Sequence, residues 1–449
     1  QRQCHQAFKI CSYEDQKNIN PDPVPGTCQW VLSHDQYQKW YQTPHSDLLW
    51  VSADPGCGKS VLSKKLVDQG LQYQSAYTVC YFFFKDNEEQ NSLPNALCSI
   101  LHQLFASESR LIEHALPAWD KHGETIRSER EELWRILLAA TSDSRSPKVA
   151  CVFDALDECR EDHRTRFISM LSEFYETIHE SPQEEGCLKI LVTSRPYDEI
   201  RDGFGNIPSS LPTIHLRGDL MNSHIHEEID LVIHAKVVQL AQSLNLDETT
   251  KQNLEKRLLQ MEHRTYLWLY LAIEGIRRVY ADSLRPEEVS IASLPSSVED
   301  AYEKILARIT PEQMDNAKKI LQIVVGARRP WTTDELAIAL NMPMESDRLK
   351  DKIRRLCGLF VFFNESRIYL IHQTAKEYLV GDSIARNSHW KHCFSRTELE
   401  RSLAHICVNY LSSTDFGERE ANETKKEYVS RSLMDHALLD YTGNCWISH

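Results

Sequence analysis

No stretch of this 449-residue chain approaches the ~20 consecutive apolar residues that a membrane-spanning helix needs, so none is expected. Cysteine pairing signals are missing too. The 13 cysteines are scattered and none stands in C-x-x-C spacing, which fits reduced thiols better than a disulfide framework or a zinc site. His224, His226, His389, His392 and Cys393 have no second ligand pair at metal spacing, and no metal cluster is expected there. Basic charge is in short supply: 51 Lys and Arg face 65 Asp and Glu, for a net charge of −14. A general nucleic-acid binder would carry the opposite balance, so nucleic acid is not an expected partner. No charged segment followed by an apolar one opens the chain, as a secretory signal would. The expected location is therefore cytoplasmic, and with Gln1 in first place the chain is expected to have begun further upstream. Internal repeats and low-complexity tracts are also absent.

What is present is a globular composition, 41% hydrophobic and 26% charged, long enough for about three domains. The chain is organised around Leu48-Leu49-Trp50-Val51-Ser52-Ala53-Asp54-Pro55-Gly56-Cys57-Gly58-Lys59-Ser60. This reads as a buried strand, a tight loop and a helix start, the layout of the phosphate-binding P-loop G-x-x-x-x-G-K-[ST], with Ala53 in place of the first glycine. Loop N–H groups converge on anionic oxygens, and Gly56 and Gly58 let the backbone curl. Lys59 can reach the β/γ-phosphates and Ser60 can ligate Mg²⁺. Gly-Lys-Ser is short enough to occur by chance, so the assignment rests on its surroundings.

Residues 1–25 are polar and end in Asn20-Pro21-Asp22-Pro23-Val24-Pro25-Gly26, which reads as a linker. Apolar runs at 48–53, 76–84, 149–153, 188–192 and 213–216 alternate with helical periodicity. They predict an α/β fold: a parallel sheet flanked by helices, over 26–216, with the ligand at the carboxyl ends of the strands. The run 76–84 is continuously apolar, as in a strand covered on both faces. Ser128 with Glu131 predicts a capping box before Leu133, Trp134, Leu137 and Leu138. A helical domain is expected over 217–310. Three helices and a hairpin, Leu359–Phe363 with Arg367–Ile371, make a winged-helix domain over 311–385, its second helix capped by Thr332 and Glu335. Residues 386–449 read as the start of a further helical region that stops without a closing signal.

The strand Val149–Phe153 delivers Asp154 at its carboxyl end, the Walker-B arrangement in which an aspartate holds Mg²⁺. Asp157 and Glu158 follow, and either can orient or deprotonate an attacking water; the bland alternative is a helix start enriched in acids. Arg195 leaves the strand 188–192 in Thr193-Ser194-Arg195-Pro196, where it can stabilise charge on a γ-phosphate or stand as a surface arginine. His372, after the second wing strand, is by spacing alone a core histidine as readily as a ligand-binding one. Arg348, Lys350, Lys352, Arg354 and Arg355 lie on the helix before the hairpin. Such a helix enters the major groove in some modules, but a basic face docked on the acidic remainder of the chain is the expected reading.

In this order, the P-loop, Phe153-Asp154-Ala155-Leu156-Asp157-Glu158, Thr193-Ser194-Arg195-Pro196 and a winged helix resemble the NACHT-type signal-transduction (STAND) NTPases. The likeness extends to fungal NOD-like receptors with a nephrocystin-type module, through Val24-Pro25-Gly26-Thr27-Cys28-Gln29-Trp30 and Ile371-His372-Gln373-Thr374-Ala375-Lys376-Glu377-Tyr378-Leu379. The resemblance implies a switch that is closed around ADP (or GDP) and opened by ATP (or GTP) with Mg²⁺. Self-association through the NACHT module and slow hydrolysis as a reset are implied as well, in fungal innate-immunity-like or heterokaryon-incompatibility signalling. It also implies an upstream effector domain and a downstream repeat domain. Pro55, Gly56, Cys57, Gly58, Lys59 and Ser60 would hold the phosphates. Asp154 would serve Mg²⁺, Asp157 would be the catalytic acid, Arg195 the sensor and His372 a β-phosphate contact of the closed state. Two departures stand out: Ala53, and Arg264 where relatives often have a glycine before Thr265-Tyr266-Leu267-Trp268, which leaves base contacts, including any by Pro295, open. An ATPase motor or kinase and a winged-helix DNA regulator are the alternatives.

Overall fold

The computed structural model describes residues 1–71, 77–180, 186–205, 211–216, 223–261, 264–282, 294–342, 346–381, 388–416 and 424–449. The expected boundaries at 216/217 and 385/386 lie outside them, as do the side chains of His224 and His226. The chain divides into two compact units, one running from Gln1 to Ile273 and the other comprising Glu274–Asp282 and the segment that ends at His449.

Five strands build the first unit: β1 (Asp47–Ala53), β2 (Tyr77–Phe83), β3 (Lys148–Asp154), β4 (Leu188–Ser194) and β5 (Thr213–Leu216). Their spatial order is β2-β3-β4-β1-β5, and all four pairings are parallel. Every residue of β1 and β4 is buried, as near-continuous apolar runs at the centre of a parallel sheet require. On one face of the sheet, Phe82, Phe153, Ile190 and Trp50 share a core with Leu97, Leu101, Leu137 and Phe167 from the helices Leu93–Ser107, Arg130–Thr141 and Glu161–Glu180. Parallel pairing places the carboxyl ends of β1, β3 and β4 side by side, which brings together residues about forty to a hundred and forty positions apart.

Three local expectations are corrected. β2 lies at the sheet edge and its first three residues are only half-buried, so the burial on both faces holds only in its second half, at Phe82 and Phe83; an apolar run does not distinguish a central strand from an edge that helices cover. The helix Arg130–Thr141 has Glu129 at its N-cap with no side-chain bond, so the Ser128–Glu131 box does not form; Glu131 instead takes Arg166 at 2.7 Å. The segment 1–25 is also more than a linker, since it carries the helices Arg2–Ala7 and Tyr13–Asn18. Cys4, Ala7 and Phe8, at i, i+3 and i+4, turn one face inward, and Phe8 packs on Phe105 with ring centroids 5.8 Å apart. Residues 21–24 match the irregular reading, as does the short stretch between the two helices, and Lys64 pins the former to the P-loop helix by bonding Asn20 O at 2.8 Å and Asp22 at 2.6 Å.

In the second unit the helices Pro311–Gly326, Thr333–Ala339 and Ser346–Cys357 precede a hairpin of β6 (Val361–Asn364) and β7 (Arg367–Leu370), paired antiparallel. The Thr332–Glu335 capping box forms as expected, and Glu335 also accepts Arg329 at two points, 2.7 and 3.0 Å. β6 begins at Val361 rather than Leu359 because Gly358, at φ +60°, starts a tight turn through Phe360. The helices Arg396–Ser413, Lys425–Asp435 and Leu439–Cys445 follow. Among the described residues no helix is long and apolar enough to cross a membrane.

Candidate functional site

β1 ends at Ala53, the departure from the P-loop pattern. Its side chain is buried, it pairs with Leu216, and its backbone is not left-handed, so this position makes no demand for glycine. Gly56 and Gly58 are different, at φ +76° and +82°. A Cβ on Gly56 would stand 2.9 Å from Leu267 Cβ and 3.2 Å from Thr265 Oγ1, and one on Gly58 would meet the Tyr266 ring at 3.0 Å. Both glycines are therefore fixed twice, by backbone conformation and by close approach. Those neighbours belong to the Thr265-Tyr266-Leu267 run, which sequence alone marks only for the arginine before it. The Tyr266 hydroxyl donates to Glu228 at 3.0 Å. Burial raises Glu228, whereas the Tyr266 bond and N–H groups of Cys28 and Gln29 lower it. The segment before the P-loop and the run after the sheet thus converge on one carboxylate beside the loop.

Pro55 is exposed at the loop tip, Cys57 is buried, and Ser60 is half-buried in the first turn of the helix Lys59–Lys65. Lys59 is 9% exposed, and its ammonium donates to Ala53 O at 2.8 Å and to Asp54 O at 3.4 Å. Burial pushes its pKa below the usual lysine range, while Asp157 and Asp154 pull it up and Arg195 pushes it further down. The P-loop lysine, both aspartates and the arginine therefore share one electrostatic neighbourhood.

Asp154 is fully buried at the end of β3. Its Oδ1 accepts from Ser63 Oγ at 2.6 Å and from Thr193 Oγ1 at 2.7 Å, and its Oδ2 is buried without a partner among the described residues. That orphaned oxygen suits a hydrated divalent cation, which would supply the donors the protein does not; Asp154, with Ser60 one turn before the Ser63 that bonds it, is the set that would hold it. After Asp154 the chain turns sharply through Ala155, at φ +57°. A non-glycine residue rarely adopts this conformation, and here it aims Ala155 N at Thr193 Oγ1, 2.9 Å away. Asp157, in the tight turn Leu156–Glu158, bonds Arg195 Nε through Oδ2 at 3.0 Å and Arg195 N through Oδ1 at 3.0 Å. Arg195 Nη1 also donates to Tyr197 OH at 2.7 Å. Burial raises the pKa of Glu158, Lys85 opposes this from 3.9 Å, and its Oε2 accepts Asp86 N at 3.3 Å.

The structure thus brings the P-loop, Asp154, Asp157, Glu158 and Arg195 together at the strand ends of the first unit. His372 belongs to the second unit, where it caps the helix Gln373–Leu379. Its Nδ1 accepts Thr374 N at 3.2 Å, so a neutral ring carries its proton on Nε2. Thr374 Oγ1 lies 2.9 Å from both that Nδ1 and Tyr302 OH. On the basic helix Ser346–Cys357, Arg348, Lys352, Arg354 and Arg355 are exposed, and Lys350 and Arg354 each face an aspartate of their own helix at 3.7 Å.

A five-stranded parallel sheet of this order, with a glycine loop after its first strand and an aspartate ending its third, defines a P-loop NTPase fold. Residues 26–195 match the family described as Nephrocystin 3, N-terminal; 225–285 match a domain family of unknown function; 303–390 match the GPI inositol-deacylase winged-helix domain. The chain is similar to the vegetative incompatibility protein HET-E-1 of Podospora anserina, 26% identical over 364 residues, which are 78% of this chain and 26% of that protein. It therefore spans about a quarter of that relative's length. Among solved structures, a STAND protein with a tetratricopeptide repeat sensor from Pyrococcus horikoshii aligns with 94% of this chain and 50% of its own, at 11% identity and a TM-score of 0.43. The ORC2 protein of Aeropyrum pernix aligns over 90% and 99%, at 13% identity and a TM-score of 0.34. The matched family model and the similarity to HET-E-1 are those of a NACHT-type P-loop NTPase of the STAND class.

Proposed function

We propose that this chain is the nucleotide-operated switch of a NOD-like signalling protein, held closed by a nucleoside diphosphate and opened by the triphosphate. The observation that carries the reading is the Asp157–Arg195 contact. The residue suited to activating water and the residue suited to sensing a γ-phosphate are bonded to each other at two points, and Lys59 is folded onto carbonyls of its own loop. Groups occupied in this way favour retention of nucleotide over turnover. In this reading Pro55 to Ser60 cradle the phosphates, Asp154 and Ser60 serve Mg²⁺, and Asp157, Glu158 and Arg195 act in a slow hydrolysis that resets the switch. His372, with its proton on Nε2, is built to donate to a β-phosphate in the closed state.

The module boundaries of this reading are 26–216 for nucleotide binding, 217–310 helical, 311–385 winged helix and 386–449 the start of a further helical region. Self-association through the nucleotide-binding module, an effector domain upstream, a repeat sensor downstream and a cytoplasmic, fungal immunity-like role complete it. Similarity to an incompatibility protein supports that role. The test is mass spectrometry of the nucleotide that co-purifies, together with the steady-state hydrolysis rate. Bound diphosphate and turnover below about one per minute are expected, against a usual enzyme range of roughly 1–10³ s⁻¹. Rapid turnover by the purified chain would instead make it a motor or kinase. The alternative of duplex DNA binding by the exposed basic helix predicts strongly salt-dependent association, and the aspartates set among its bases argue against that.

A further inference from the structure

Asp154 takes both of its donors on one oxygen. The Thr193 hydroxyl accepts the Ala155 N–H, so its single proton is free to go to Asp154 Oδ1, 2.7 Å away. The Ser63 hydroxyl donates to the same oxygen from 2.6 Å. Ser63, Asp154 and Thr193 are all fully buried, and they come from three separate elements: the P-loop helix, β3 and β4. Among the described residues, Oδ2 is buried and left with no donor. A buried acceptor without a partner is destabilising, because its lost hydration is not replaced. A fold that fills one oxygen twice and the other not at all is therefore arranged for something that arrives at the second.

From this we infer that Ser63 and Thr193 are the positioning residues of the Mg²⁺ site: they fix the Asp154 carboxylate so that Oδ2 is the oxygen presented to the hydrated cation. Neither touches the nucleotide in this reading, and nothing in a P-loop pattern points to Ser63, which lies one turn beyond Ser60. Residues that orient a ligand in this way typically change metal affinity by about 10–100-fold when removed. The strained Ala155 turn belongs to the same device, because it aims the N–H that fixes the direction in which Thr193 donates.

The inference rests on the nucleotide reading of the site, and one titration separates the two. Binding of a fluorescent ADP analogue to the full chain is measured in EDTA and then across a Mg²⁺ series, for the wild type, Ser63→Ala, Thr193→Val and Thr193→Ser. Expected are unchanged affinity in EDTA for all four, a Mg²⁺ midpoint about tenfold higher for Ser63→Ala and Thr193→Val, and wild-type behaviour for Thr193→Ser. Equal Mg²⁺ midpoints in wild type and Ser63→Ala overturn the inference while leaving nucleotide binding intact. So does a loss of affinity in EDTA that matches the loss in Mg²⁺, which would mark a purely structural role. Should Thr193→Val not fold, Ser63→Ala and Thr193→Ser decide the matter alone. A wild-type chain that binds no analogue in either condition overturns the nucleotide reading, and this inference with it.

Discussion

Asp157 holds Arg195 by side chain and backbone together: one carboxylate oxygen faces Nε and the other accepts the arginine's own N–H, each at 3.0 Å, with both side chains under 5% exposed. A pair this deeply buried is sensitive to the loss of one partner, because the survivor is left as an uncompensated charge. Arg195→Ala is expected to lower the stability of the first unit by about 3 kcal/mol. The double variant Asp157→Ala/Arg195→Ala should recover part of that loss. Denaturant unfolding of the single and double variants checks this; strict additivity would mean that the pair is not coupled.

The two P-loop glycines answer to different neighbours, and the difference is measurable. Gly58→Ala meets the Tyr266 ring at 3.0 Å and must also hold a left-handed φ, whereas Gly123, at φ +56°, has nothing within 4 Å of an added Cβ. Gly123→Ala should cost about 1–3 kcal/mol, from backbone strain alone, because φ +56° with ψ −137° is a region non-glycine residues rarely enter. Gly58→Ala should add crowding to its strain and weaken nucleotide binding at least tenfold, which Gly123→Ala leaves unchanged. Adding Tyr266→Ala to Gly58→Ala should restore only the part due to crowding. Thermal melts and nucleotide binding on the same samples report both effects.

The N-terminal helices give the fold a pH response. His102 stacks on His5 with ring centroids 4.4 Å apart, and its Nδ1 lies 3.2 Å from Tyr13 OH. Burial, then the nearby His5 and Lys9, push its pKa down from 6.5 to about 4. A base whose pKa is depressed by folding binds its proton more readily when unfolded, so stability falls as the pH drops from about 6.5 towards about 4. The loss should reach ~2 kcal/mol after solvent screening. His102→Gln should flatten that limb of the stability profile and leave the limb above pH 7 unchanged.

Much of this molecule is legible from local pattern. Strand ends that deliver Asp154 and Arg195, the Gly-Cys-Gly-Lys-Ser loop and the Thr332–Glu335 capping box are specified by neighbours within a few residues, and each forms where the spacing puts it. Where local pattern fails, the deciding partner is remote in sequence. Glu131 is drawn from its expected cap by Arg166, thirty-five residues away. Cys4 and Phe8 are too few to announce a helix until Phe105 gives them a core to join.

The sequence by itself determined the class of the site: residue types suited to phosphate, magnesium and water, and the alternating elements that bring them to the carboxyl ends of one sheet, follow from periodicity and spacing. Only the tertiary structure decided how those residues are spent. It closed Asp157 on Arg195, turned Lys59 back on its own loop, laid Tyr266 against Gly58, and chose Ser63 to hold Asp154. The physical reason is that each of these is a contact between separate elements. Burial and the need to pair every enclosed polar atom select such contacts, and no local repeat in the chain records them.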